Sequence, residues 1–158
     1  MTGTRRVWSW VTIPLVATAL ACASAGGGAG GGTADGVKLY KRLGGYDALA
    51  AVTDDFLGRI LVDSAIAPFF KGLEPWQKNR VRQLLVDQLC EASGGPCLYI
   101  GRPMKLAHAE MQMDDRIWNT FAGHLVATLK KFNVPDREQR ELLEIIGSMK
   151  GDIVHGGR

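Results

Sequence analysis

Three histidines and three cysteines hold most of the metal-binding capacity of this 158-residue chain: His108, His124 and His155, with Cys22, Cys90 and Cys97. No two histidines stand in a His-x-x-His pair and no two cysteines in Cys-x-x-Cys. A zinc site, which gathers several such ligands close together, therefore has little to build on. No Ser-His-Asp order or paired-carboxylate motif stands out either. Glycines at 44–45, 94–95 and 101 follow no strand-like segment, so they punctuate turns and do not cradle phosphate. By generic chemistry alone, a lone histidine in such a chain is structural more often than functional.

The elements that would place it read as helices, because the apolar residues recur every three or four positions and never alternate for long. Tyr46–Val62 lines up Leu49, Val52, Phe56, Leu57 and Ile60. Lys78–Ala92 lines up Val81, Leu84, Leu85 and Leu89 before Gly94-Gly95-Pro96 stops it. Asp114–Phe132 carries Ile117, Phe121, Leu125 and Leu129, with acids at its start and Lys130-Lys131 at its end, as a helix dipole prefers. A last helix opens on Pro135-Asp136 and aligns Leu142, Ile145, Ile146, Met149 and Ile153. A short segment, Tyr99–Ala109, lies between the second and third of these helices and contains His108.

The first 36 residues are of another kind. Arg5 and Arg6 precede the apolar run Val7–Leu20, and Ala19-Leu20-Ala21 offers small residues for cleavage, which together make a secretory signal over residues 1–22. An uncleaved span is disfavoured, since Pro14 interrupts a run shorter than the roughly 20 apolar residues a bilayer needs. Cys22 directly after this run resembles a lipobox cysteine, which implies an exported protein held to a membrane by lipid. A cut after Ala23-Ser24-Ala25 would instead release it. Residues 23–36 form a tether containing six glycines and one alanine in Gly26–Gly32, and residues 37–158 form the domain.

Two of the 19 basic residues lie in that leader, so the formal charge of +3 shrinks to about +1 in the rest of the chain, with no basic run. Nucleic acid is excluded as a partner. Cys90 and Cys97 are an even pair in what would be an oxidising compartment. They either bridge, stapling a helix end to the next loop, or remain two thiols.

The order of several short motifs goes further than any one of them. Leu39-Tyr40-Lys41-Arg42-Leu43-Gly44-Gly45-Tyr46 is followed by Asp54-Asp55-Phe56 and by Ala67-Pro68-Phe69-Phe70. Gly94-Gly95-Pro96, Tyr99 and Gly101-Arg102-Pro103-Met104 then lead to His108, and Gly123-His124-Leu125 comes later. This ordered set resembles the group I truncated haemoglobins over nearly all of residues 38–154. The resemblance implies an all-α fold, a two-over-two helical sandwich, carrying haem b. It makes His108, four residues after Met104, the protein ligand to the iron. It also implies that Phe70 stacks on the haem face and Met104 forms part of the wall beneath it. Arg102 or Lys105 would either pair with the propionates or stay solvated. His124 reads as structural, and His155, in the tail, as needing no role.

The chain departs from the family on the ligand side. Where many members carry Tyr after the Asp-Asp-Phe phenylalanine, this one has Leu57. Counting back from Gly94, the other two ligand-facing positions fall on Val81 and Leu85, and members often carry Gln at the second. Gln88, a turn further on, is the one polar residue near that face, with the helix register open by up to a turn. A hydrogen bond to a charged acceptor contributes about 1.5–3 kcal/mol, so an apolar pocket should release dioxygen one to two orders of magnitude faster than a pocket with a donor. Leu57→Tyr should restore the slower rate. The expected function is reversible binding of dioxygen, nitric oxide and carbon monoxide, with an unidentified reductase for the iron. The alternatives are a nitric oxide dioxygenase or peroxide-consuming enzyme, and a haem-trapping module.

Overall fold

The computed structural model describes residues 36–155; the expected signal, Cys22 and most of the tether lie outside the described residues. Chain chemistry sets the helix ends. At Gly44 the backbone turns through φ +94°, and a Cβ there would stand 2.9 Å from that of Ala48, so only glycine separates α1 (Leu39–Arg42) from α2 (Gly45–Ile60) this tightly. A 3-10 turn, Ala67–Phe70, follows. The next helix, α3, spans Pro75–Ala92 and so begins three residues before the expected Lys78. The local signal is Glu74-Pro75-Trp76-Gln77: Pro75 is preset for a first turn, and the Gln77 side chain accepts from the Glu74 N–H at 2.8 Å. The apolar stripe starts later, so periodicity alone missed it.

Pro103 leads into α4 (Met104–Ala107), a single turn that His108 terminates. Asp114 accepts from the Ile117 N–H at 2.8 Å and starts α5 (Asp115–Lys131). That helix ends with Asn133 in the left-handed region and the Val134 N–H on the Leu129 carbonyl, a Schellman-type stop. The last expected helix breaks at Met149 into α6 (Asp136–Ser148) and α7 (Lys150–Ile153).

The four long helices pair as α2 with α3 and α5 with α6, and α2 also packs on α5, which makes the expected two-over-two sandwich. The described residues form no strand. Leu49, Ile60, Val86, Leu129 and Leu142 are almost wholly buried. Polar ties lock the frame outside this core. Arg42 on α1 reaches Glu138 at 2.8 Å and also pairs with Glu141, both on α6. Asp55 on α2 holds Lys131 and Thr128 of α5 and its own neighbour Arg59, and these hydrogen bonds draw its carboxyl down to about 2. Cys90 and Cys97 are bridged, with Cα atoms 5.7 Å apart, so the end of α3 is stapled to the segment leading into α4. No helix among the described residues is long and apolar enough to cross a membrane.

Candidate functional site

A cavity of about 110 Å³ lies between the two helix pairs, with Leu85, Gln88 and Leu89 of α3 on one side and Met104 and His108 of the α4 segment among its walls. Trp118 and Phe121 supply an aromatic wall from α5, their rings stacked at 5.9 Å. Phe56 of α2 meets the Phe121 ring edge-on at 4.8 Å, the arrangement aromatic quadrupoles favour. Met149, with Ile146 and Ile153, completes the wall from the C-terminal helices.

His108 is the only titratable side chain on this wall. Its Nδ1 lies 2.8 Å from the Met104 carbonyl. A carbonyl can only accept, so Nδ1 carries a proton, and of the two neutral tautomers the contact selects the one with its lone pair on Nε2. That is the tautomer a histidine bound to a metal through Nε2 needs, with the ring's orientation fixed by the backbone carbonyl. The backbone is held as firmly. The His108 N–H donates to the same Met104 carbonyl at 3.1 Å, and the His108 carbonyl accepts from Met111 at 2.9 Å. The His108 carbonyl accepts a second bond, from His155 Nε2 at 2.8 Å, which corrects the expectation that the tail histidine needs no role.

His124 has the structural place expected of it. Its Nε2 lies 2.9 Å from Asp63, away from the cavity wall, and this contact, helped by the Ala65 N–H, holds the Asp63 carboxyl below the usual carboxylate range. It fastens α5 to the turn after α2.

Of the six residues expected at the site, the structure brings Leu85, Met104 and His108 together on the wall. Phe70 is half-buried against the margin of the core, Leu57 is buried within the core, and Val81 is half-buried on α3; none of the three lines the cavity. From α2 the wall takes Thr53 and Phe56, so the inward register falls on Phe56 and not on its neighbour Leu57. The Thr53 hydroxyl donates to the Leu49 carbonyl at 2.8 Å and is not free for a ligand.

Gln88 departs most from the apolar pocket expected. It lines the cavity, its buried Oε1 has no hydrogen-bond partner, and its Nε2 has only the Met149 sulfur at 3.9 Å. A thioether is a weak acceptor. The open register of α3 is what hid this residue: one turn decides whether position 88 faces in or out. Trp118, Met113 and Met149 were also missed as site residues, since their spacing reads equally as core.

Residues 38–155 match the model of the family described as bacterial-like globin. The chain therefore belongs to the bacterial-like globins. Within them it is similar to group 1 truncated haemoglobins, at 32% identity to that of Mycolicibacterium paratuberculosis over 78% of this chain and 88% of the relative. The corresponding protein of a Nostoc species is also 32% identical, over 74% of this chain and 97% of its own length. Among solved structures, the Fe(III) truncated haemoglobin of Tetrahymena pyriformis superposes with a TM-score of 0.70 at 28% identity, covering 75% of this chain and 98% of that one. The 2/2 haemoglobin of a Synechococcus species gives 0.69 at 27%, with 75% and 98% covered.

Family membership implies haem, and the donor set fits it. The His108 imidazole lines an apolar, aromatic-walled cavity, and the Gln88 amide, its oxygen without a partner, stands on the same wall. The cavity is smaller than the roughly 300–1,000 Å³ of an ordinary cofactor pocket. Met104, Met113 and Met149 are the walls that can give, being unbranched and adaptable thioethers.

Proposed function

We propose that the chain binds haem with His108 as the protein's ligand to the iron, and holds small diatomic gases there reversibly. The observation that carries this is the Nδ1–H bond from His108 to the Met104 carbonyl, which leaves Nε2 as a lone-pair donor beside an aromatic cavity. Haem supplies the gas-binding iron, while the chain supplies the fixed imidazole and excludes water. Dioxygen and nitric oxide are the ligands proposed, with carbon monoxide as a probe. Reversible binding is favoured over oxygen–oxygen cleavage, because no wall residue other than His108 can act as a general acid or base. The Gln88 amide can donate or accept a hydrogen bond but cannot shuttle a proton.

The test is substitution with chemical rescue. In the full chain, His108→Gly should lose the five-coordinate ferrous spectrum and regain it when imidazole is added. His124→Ala should keep it. A His108→Gly protein whose spectrum is normal without imidazole sinks the assignment.

We also propose that the protein is exported and attached to a membrane through a lipidated Cys22. The bridged Cys90–Cys97 pair supports this reading, since such bonds persist in oxidising compartments. Cys22→Ser should leave the leader uncut or move the protein to the soluble fraction. A mature N-terminus at Gly26 in the native protein would contradict it.

A further inference from the structure

His108 spends one ring nitrogen and its whole backbone on hydrogen bonds, and one of those partners comes from far along the chain. The His155 ring donates from Nε2 to the His108 carbonyl at 2.8 Å, across 47 residues of sequence. The His155 backbone N–H donates to the Met113 carbonyl at 3.1 Å. One residue therefore holds both ends of the loop that joins the His108 turn to α5. The remaining bonds of that loop are internal: Met111 N–H to the His108 carbonyl, and Met113 N–H to the Met111 carbonyl. Without His155, nothing outside the segment among the described residues would hydrogen-bond to the His108 backbone, because the N–H and Nδ1 both return to Met104 in its own turn.

The carbonyl of a residue that terminates a helix turn is one of the unsatisfied acceptors that such ends leave. Here it receives two donors, one for each lone pair. α4 also packs on α7, the short helix that ends two residues before His155, so the latch continues an existing contact. We propose that His155 is a positioning residue for His108: by fixing the His108 carbonyl and the far end of the 108–113 loop, it sets where the ligating imidazole stands relative to the cavity. It acts through His108 and touches no reacting atom.

This inference rests on His108 being the iron ligand, and the experiment separates the two. The full chain is reconstituted with haem as wild type, His155→Leu, His155→Gln and His108→Gly. Two quantities are read in each: the iron–histidine stretching band of the ferrous form by resonance Raman, and the rate of haem transfer to an apo-globin acceptor. Melting of the apoproteins reports folding. His155→Leu should shift the band and speed haem loss about three- to tenfold, the effect of one ordinary hydrogen bond. Its apoprotein should melt close to wild type, because the side chain is exposed. His155→Gln, which keeps an N–H donor on a chain of similar reach, should restore most of both. An unmoved band and unchanged haem loss in His155→Leu overturn the proposal, as does a Gln variant indistinguishable from Leu. If His108→Gly retains the wild-type band, the ligand assignment itself fails and takes this inference with it.

Discussion

The two sides of the cavity are built on opposite plans. On the His108 side the polar atoms are matched: the imidazole Nδ1, the backbone N–H and the carbonyl each have defined partners within about one ordinary hydrogen-bond length. On the α3 side a buried amide oxygen has no partner, and its nitrogen leans on a thioether. A fully satisfied polar group is held in one place, whereas an unsatisfied buried one carries a desolvation cost that a ligand can relieve. The first plan suits a fixed ligand to a metal. The second suits a wall whose polar partner arrives with the ligand.

The largest effect should come from the bridge where the two sides meet. Cys90 lies fully buried at the end of α3, and Cys97 begins the segment that leads to His108. In the chain-entropy account, closing a loop with a sequence separation of 7 contributes about 2 kcal/mol. Cys97→Ser should lower the unfolding free energy by about that amount, read as a lower denaturant midpoint at unchanged m-value. If the His108 side is held by its own hydrogen bonds, the ferrous spectrum of the variant should match wild type. A five-coordinate signal that disappears together with the bridge would show that the staple, and not the hydrogen bonds, fixes that side.

Sequence made the His108 side readable and left the α3 side half-read, for a physical reason. Gly-Arg-Pro-Met followed by His108 is a short run between turn residues, where no register can slip. The resemblance to the family could therefore be carried over residue by residue there, and the structure places Met104 and His108 together on the cavity wall. The four long helices were legible from the three-four spacing of leucines and isoleucines. Their inward faces were less so, since a helix turns about 100° per residue and an error of one position re-aims a side chain. That is how Phe56 faces the cavity while Leu57 packs in the core. Leu57→Tyr therefore adds a ring and a hydroxyl to a packed position, so the slower dioxygen release expected of it should come with a loss of stability. The His155 latch left no trace in the sequence. It depends on two backbone carbonyls, and carbonyls have no residue type to recognise.

Gln88→Leu tests the other side and should have the smaller effect on stability, with its sign reversed. The amide oxygen is buried with no hydrogen-bond partner among the described residues, and leucine, a shorter apolar side chain, needs none. The variant should gain about 1 kcal/mol, read as a higher melting temperature of the apoprotein. The haem-loaded protein should pay for that gain in ligand retention. The amide has two N–H groups and only a weak sulfur acceptor nearby, so a donor is available to a bound dioxygen, which takes on negative charge. Carbon monoxide takes on less. Dioxygen release from Gln88→Leu should therefore quicken about tenfold, while carbon monoxide release changes little. The two measurements are independent of each other. A more stable apoprotein with unchanged dioxygen release would mean that the orphaned amide is a packing defect facing Met149. A less stable apoprotein would mean that Gln88 is satisfied in solution, and the contrast between the two walls would collapse.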